Sequence, residues 1–166
     1  NAAAARRPAW LAAAGLRIAV VAYNGVGAAR NATASSAGAA PLRLASMRAD
    51  IRAARRAGAD VVIVVPHWGR EYTDAVSAEQ RRIAAALVKA GADAVLGSHS
   101  HWAGPLELMD GRLVVYSLGD LVFDLQHDAR TQQAFIAELT FVGSRLAQVE
   151  LLRRFRERIV APRRRM

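Results

Sequence analysis

The chain has 166 residues, a formal net charge of +9 and no cysteine. That length suits one domain with a real core, residues 1–166. The lack of cysteine excludes disulfides and thiolate metal sites, and with no run of about eighteen apolar residues there is no candidate transmembrane helix.

Nearly all the positive charge is arginine, Lys89 being the sole lysine. It is scattered over helix faces until the stretch 153–166, where Arg153, Arg154, Arg156, Arg158, Arg163, Arg164 and Arg165 gather. An excess of that sign suits an anionic polymer or nucleic acid. The tail has no interleaved aromatic residue beyond Phe155, so compositional bias explains it better and there is no strong nucleic-acid signal.

Asn1–Ala14 is Ala-rich, broken by Arg6, Arg7 and Pro8, and lacks the apolar segment of a signal peptide. The first residue is Asn rather than Met, so the chain reads as a piece of something longer. Leu16–Tyr23 is a near-continuous apolar run, which predicts a strand buried on both faces. Residues 24–41, rich in Gly, Ala, Ser and Asn, read as a long loop; Asn31-Ala32-Thr33 matches a glycosylation sequon, a weak signal alone. From Leu42 to Ala57, Leu44, Met47, Ile51 and Ala54 recur at helical spacing, and Gly58 suits the left-handed residue that ends a helix. Val61–Val65 is a second buried strand, ended by Pro66.

The pattern then repeats. Ser77 with Gln80 forms a capping box for a helix reaching Ala90, with Ile83 and Leu87 on its buried stripe. Gly91 closes it, and Ala94–Leu96 is the next strand. Ala57-Gly58-Ala59-Asp60 and Ala90-Gly91-Ala92-Asp93 are the same tetrapeptide, thirty-three residues apart. Two such αβ units predict an α/β fold with parallel strands, with Asp60 and Asp93 as junction residues. Beyond them the sequence turns antiparallel. Leu106–Met109 and Arg112–Tyr116 flank Asp110-Gly111, a pair suited to a two-residue hairpin turn. Phe135, Ala137, Leu139 and Phe141 alternate as in a half-buried strand, and Gly143-Ser144 turns the chain into Leu146–Leu152.

Each αβ unit ends its strand at a histidine: His67 after Val61–Val65, and His99 after Ala94–Leu96. His99 and His101 are two apart, so in extended backbone both imidazoles address one point. Neighbouring parallel strands then bring His67, His99 and His101 to the carboxyl edge of one sheet, where open α/β folds place ligands. Imidazole nitrogen is the commonest protein ligand for zinc and similar divalent ions. His127 lies outside this set.

Pro66-His67-Trp68-Gly69-Arg70-Glu71-Tyr72, then Ala90 to His101, then Tyr116-Ser117-Leu118-Gly119-Asp120 stand in the order seen in the CapA family. These are the poly-γ-glutamate capsule biosynthesis proteins, related to calcineurin-like metallophosphatases. Ala5-Arg6-Arg7-Pro8 and Gly15 to Ala19 resemble the segment preceding those motifs, so the resemblance spans essentially the whole chain. It departs in two places. Ser98 separates Gly97 from His99 where the family writes Gly-His-x-His, and Asp120 stands where the family has Asn.

The resemblance implies a partial αββα metallophosphatase-like sandwich and a metal-dependent hydrolase acting in capsule or cell-envelope polymer biosynthesis. It implies divalent ions (zinc, manganese or iron), two in the complete protein, with His67, His99 and His101 as ligands. Glu71 and Tyr72 would orient those ligands, Trp68 and Trp102 would wall the site, and Ser117 and Asp120 would lie beside the metals or substrate. The family's N-terminal acidic and Asn-His motifs have no match in residues 1–60. The missing N-terminal half is thus the expected partner, beside capsule-polymer machinery, and this chain alone should hold metal weakly and catalyse little. Two other classes are a catalytically silent scaffold of the same fold and an Arg-rich binder of anionic polymer or nucleic acid. Whether the protein sits at a bacterial cell envelope or in the cytoplasm is left open. A further expectation is an exposed apolar patch beside the histidine edge, where the N-terminal strands would pack.

Overall fold

The computed structural model of the chain describes residues 1–125 and 127–155. In order these form α1 (Ala2–Ala5), β1 (Ala9–Ala13), β2 (Leu16–Asn24), α2 (Leu44–Arg56), β3 (Val61–His67), α3 (Ala78–Ala90), β4 (Ala94–Leu96), β5 (Leu106–Met109), β6 (Arg112–Val115), β7 (Gln133–Val142) and β8 (Arg145–Phe155). Six strands make one sheet in the order β1-β2-β3-β4-β6-β5, and β7 with β8 makes a separate antiparallel pair. The four inner strands run parallel and the outer pairs antiparallel. The arginine cluster from Arg156 onward lies outside the described residues.

The two αβ units set the layers. α2 buries Met47, Ile51 and Ala54, and α3 buries Ile83, Ala84, Leu87 and Val88. Both stripes pack on one face of the sheet, against Ala19, Val21, Tyr23, Val62, Val64, Val95 and Val114. Each large side chain so buried contributes about 1.5–3 kcal/mol. The capping box forms as expected: Ser77 Oγ accepts from Gln80 N at 3.1 Å and Gln80 Oε1 accepts from Ser77 N at 3.0 Å.

Both tetrapeptide aspartates are junction groups. Asp60 accepts from Arg17 N at 2.8 Å. Asp93, only 1% exposed, accepts from Val62 N at 2.7 Å and from the guanidinium groups of Arg55 and Arg112. It thereby ties the end of α2, the start of β4 and the start of β6 together, and its buried charge is compensated.

The opposite face is covered in part. Ala94, Leu113 and Val115 are buried beneath Leu139, Leu146 and Val149 of the β7–β8 pair. That pair does not reach the far side of the sheet, where Leu11 is 57% exposed and Ile18 and Val20 are half-buried. The expectation that Leu16–Tyr23 is buried on both faces is therefore corrected: β2 buries alternate residues, those on the face that α2 packs against. Leu121, Val122 and Phe123, just beyond Asp120, are also exposed.

Three local differences have simple causes. β1 carries no sequence signal, since an Ala-rich segment shows no alternation. It pairs with β2 across Ala14-Gly15, both at positive φ (49° and 79°), and Arg17 lies 4.9 Å over the Trp10 ring. β3 continues through Pro66 to His67, because Pro66 still lends its carbonyl to Ser98 N at 3.0 Å. α2 begins at Leu44 rather than Leu42, since Leu42 N bonds back to Asn24 O at 2.8 Å. The Asp110-Gly111 turn is as expected, with φ of 49° and 71°, the mirror-image turn that matches strand twist. The whole is a partial α/β sandwich, with parallel strands at its centre and antiparallel strands at its edges.

Candidate functional site at the histidine edge

β3 delivers His67 as its last residue. β4 ends at Leu96, and Gly97 follows where any Cβ would collide with the Tyr116 carbonyl, so β4 and the strand end after β6 approach as closely as backbone allows. Ser98 then stands opposite His67 in a parallel bridge. The strand register thus pairs His67 with Ser98, one residue short of His99.

The chain turns sharply beyond that point. His99 and His101 both have left-handed backbone, φ 110° and 63°, and so does Tyr72 at 54°. Tyr72 N donates to Ser100 O at 2.8 Å, tying the loop after β3 to the loop after β4. This corrects the extended i, i+2 geometry expected for the pair: the strand ends before Gly97-Ser98, as expected, but the backbone beyond it is left-handed at both histidines. Non-glycine residues held this way cost of order 1–3 kcal/mol each and gather at functional sites.

All three imidazoles nevertheless reach one edge. The rings of His67 and His99 are 4.6 Å apart, centre to centre, and those of His99 and His101 are 6.2 Å apart. His67 Nδ1 lies 3.1 Å from Ser98 Oγ. His101 Nδ1 donates to Asp120, whose carboxylate oxygens lie at 3.0 and 3.2 Å. Glu71 Oε1 is 3.9 Å from the other nitrogen of His101. The Tyr72 ring stacks on His101 at 5.4 Å, and Phe123 lies 5.5 Å away. Desolvation lowers the pKa of His67 and His99; neighbouring imidazoles push the same way, and the Glu71 carboxylate pushes against it.

Two rings ligating one tetrahedral ion at bond lengths near 2.0–2.1 Å have centres roughly 5 Å apart. The His67–His99 spacing suits such a pair, and at His101 a carboxylate, Asp120, stands behind the imidazole as is common behind metal ligands. Among the described residues, however, no three His, Asp or Glu side chains come close enough together to hold an ion as they stand. The three rings share an edge but not one point.

The remaining expected residues sort themselves by burial. Trp68 is 4% exposed, stacks on Tyr116 at 6.0 Å and donates through Nε1 to Tyr116 O at 3.0 Å. It is core beneath the edge rather than a wall of it. Trp102 is likewise buried, with the Arg130 guanidinium 3.3 Å over its ring. Ser117 is buried and its Oγ accepts from Gly119 N at 3.2 Å, shaping the turn that delivers Asp120. Ser98 and Phe123 reach the site without having been assigned to it, and His127, read from the sequence as outside the set, lies edge-on to Tyr72 at 5.0 Å. Only Ser98 carried a sequence signal, as the residue interrupting Gly-His-x-His.

Comparison with known proteins bears on what this edge is. Over 80 residues the chain is 41% identical to the PGA biosynthesis protein CapA of Bacillus subtilis, covering 48% of this chain and 21% of that protein. Over 84 residues it is 37% identical to the capsule biosynthesis protein CapA of Bacillus anthracis, covering 51% and 20%. The chain thus spans about a fifth of the length of these relatives. Among solved structures, the sulfate thiohydrolase SoxB of Thermus thermophilus superposes with a TM-score of 0.56 at 16% identity, over 88% of this chain and 24% of that one. The model of the family described as bacterial capsule synthesis protein PGA_cap matches residues 1–125, which includes every histidine-edge strand and stops short of β7 and β8. The chain therefore belongs to the bacterial capsule synthesis protein family PGA_cap.

Proposed function

We propose that this chain supplies the C-terminal, metal-binding part of a CapA-like hydrolase that acts in capsule, poly-γ-glutamate or other cell-envelope polymer biosynthesis. The observation that carries the reading is the histidine edge itself: His67 and His99 with ring centres 4.6 Å apart, and His101 held by Asp120 at 3.0 Å. Family membership and the names of the two bacterial relatives support the polymer, not the reaction.

A bound divalent ion (zinc, manganese or iron) would lower the pKa of a water and polarise the oxygen under attack. The chain's own residues do the rest. Asp120 accepts the Nδ1 proton of His101, which fixes the tautomer and leaves the Nε2 lone pair free. Ser98 Oγ lies within hydrogen-bond distance of Nδ1 of His67, at 3.1 Å, and orients that ring, while the stacked Tyr72 ring fixes the plane of His101. Glu71, largely exposed beside His101, is the carboxylate placed to take or return a proton at the surface of the site. Further ligands, and a second ion, would have to come from the N-terminal half that the family resemblance implies. Metal-stripped and metal-reconstituted intact protein, assayed on a phosphoester and on a γ-glutamyl oligomer, tests this. Hydrolysis should require metal and vanish in the His67→Ala/His99→Ala/His101→Ala variant; hydrolysis indifferent to both would overturn it.

A second reading, a catalytically silent scaffold, is favoured by the lack of any three-ligand cluster among the described residues. The same assay decides between them, since a scaffold would show no metal-dependent turnover at all.

A further inference from the structure

The outward arginines of α2 form a row. Arg48, Arg52 and Arg56 recur every fourth residue, so they climb one flank of the helix with a rise of about 6 Å between neighbours. All three are exposed, and among the described residues none has a carboxylate partner. The other charges of the helix are committed. Asp50, its sole acid, accepts from the Arg6 guanidinium and, at 2.8 Å, from Tyr23 Oη, while Arg55 reaches Asp93 and the Gly91 carbonyl. On α3, by contrast, Arg81 pairs with Glu107 and Arg82 with Glu79.

Beside that row runs a second one of small side chains. Ala45, Ala49 and Ala53 keep the same spacing and are exposed, on the crest of α2 that faces away from buried Met47, Ile51 and Ala54. The helix has no large apolar side chain to spare for this crest, since Leu44 packs against the core with Met47 and Ile51. Like charges four residues apart repel and weaken a helix, so the row is stabilised when counter-charges arrive.

A bilayer surface calls for apolar side chains to insert, and the crest has none. A phosphate backbone would meet the guanidinium groups but make no use of the alanine ridge. A second copy of this chain, packed by a two-fold axis, would set one arginine row against the other. A helix of opposite charge uses both rows. Small side chains let helix axes approach to the short end of about 8–10 Å, and carboxylates on the partner's flank then meet the arginines.

We infer that the outer face of α2 docks an acidic helix of a partner protein, which lies along Ala45, Ala49 and Ala53 and pairs its Asp or Glu side chains with Arg48, Arg52 and Arg56. α2 covers the sheet face opposite the one on which N-terminal strands would pack, so those strands leave it free. The inference goes beyond the histidine edge and does not depend on it.

The test uses the intact polypeptide and a fluorescein-labelled, lactam-stapled helical peptide, rich in alanine, with glutamate at every fourth residue, read by anisotropy. A control peptide has the same composition with its glutamates spread around the helix. Arg48→Gln, Arg52→Gln and Arg56→Gln should each weaken binding about twofold and the triple variant about tenfold. Ala49→Leu, which fills the ridge and leaves every charge in place, should weaken it about fivefold. Added salt should weaken it throughout. Any hydrolysis by the intact polypeptide should be unchanged in all these variants, which separates failure of the docking face from failure of the histidine edge. A control peptide that binds as tightly as the aligned one would overturn the proposal, as would an Ala49→Leu variant that binds like wild type. Duplex DNA or phosphatidylglycerol vesicles that bind the wild type while the aligned peptide does not would also overturn it, giving the row to a phosphate surface.

Discussion

Asp120 and His101 are joined across nineteen residues of sequence by a hydrogen bond of 3.0 Å from imidazole Nδ1 to carboxylate. The carboxylate is largely buried, at 14% side-chain exposure, as is the imidazole at 18%. An asparagine at this position would present a neutral amide oxygen to the same nitrogen, whereas the carboxylate increases the basicity of the opposite one. Replacing Asp120 by Asn should therefore weaken zinc binding by about tenfold while the melting temperature changes little. Equilibrium dialysis beside a thermal melt reads both; unchanged affinity would show that Asp120 only shapes the turn.

His99 carries a conformation that glycine adopts freely, φ 110°. His99→Gly should stabilise the metal-free fold by roughly 1 kcal/mol, because the strain of a left-handed side-chain-bearing residue is relieved. The same change should weaken metal binding. Urea titration of the metal-free protein measures the first effect. A loss of stability would mean that the His99 ring packs more favourably than its backbone is strained.

Burial lowers the pKa of His67 and His99 below the ordinary 6.5. The unfolded chain then binds protons before the folded one does. The metal-free protein should hold its full stability above about pH 6.5 and lose part of it as pH falls through the depressed values. Denaturation midpoints at pH 7.5, 6.5 and 5.5 check the sign, and the His67→Ala/His99→Ala variant should show a flatter profile.

Asp93 is the most consequential polar group of the core. Asp93→Asn leaves Arg55 and Arg112 without their shared partner and should cost about 3 kcal/mol. The partial exposure of both guanidinium groups keeps the figure at the low end for a broken buried pair. Asp60→Asn, at a more exposed junction, should cost under 1 kcal/mol. A chemical denaturation pair of the two variants measures the contrast.

The two αβ units were legible because the helix stripes, the capping box and the repeated Gly-Ala-Asp all point the same way. So was the edge to which His67 and His99 belong, since parallel register follows from the repeat. The geometry at that edge was not, because left-handed backbone at His99 and His101 is imposed by the Gly97 approach to Tyr116 and the Tyr72–Ser100 bond, both long-range. β1 was hidden by its alanines. One-sided cover of β2 was hidden as well, for how far the β7–β8 pair reaches across the sheet is written in no local pattern. Trp68 shows the limit of motif reading: adjacent to a candidate ligand in sequence, it turns into the core, where it stacks on Tyr116 and donates to its carbonyl.

The central claim is that His67, His99 and His101 bind divalent metal at one sheet edge. Anomalous diffraction at the zinc edge, from crystals of the intact polypeptide grown with zinc, tests it most directly. The account predicts an anomalous peak within bonding distance of imidazole nitrogens from His67 and His99, with His101 ligating that ion or a second one beside it. A zinc peak bound elsewhere, with these three imidazoles free, would contradict it.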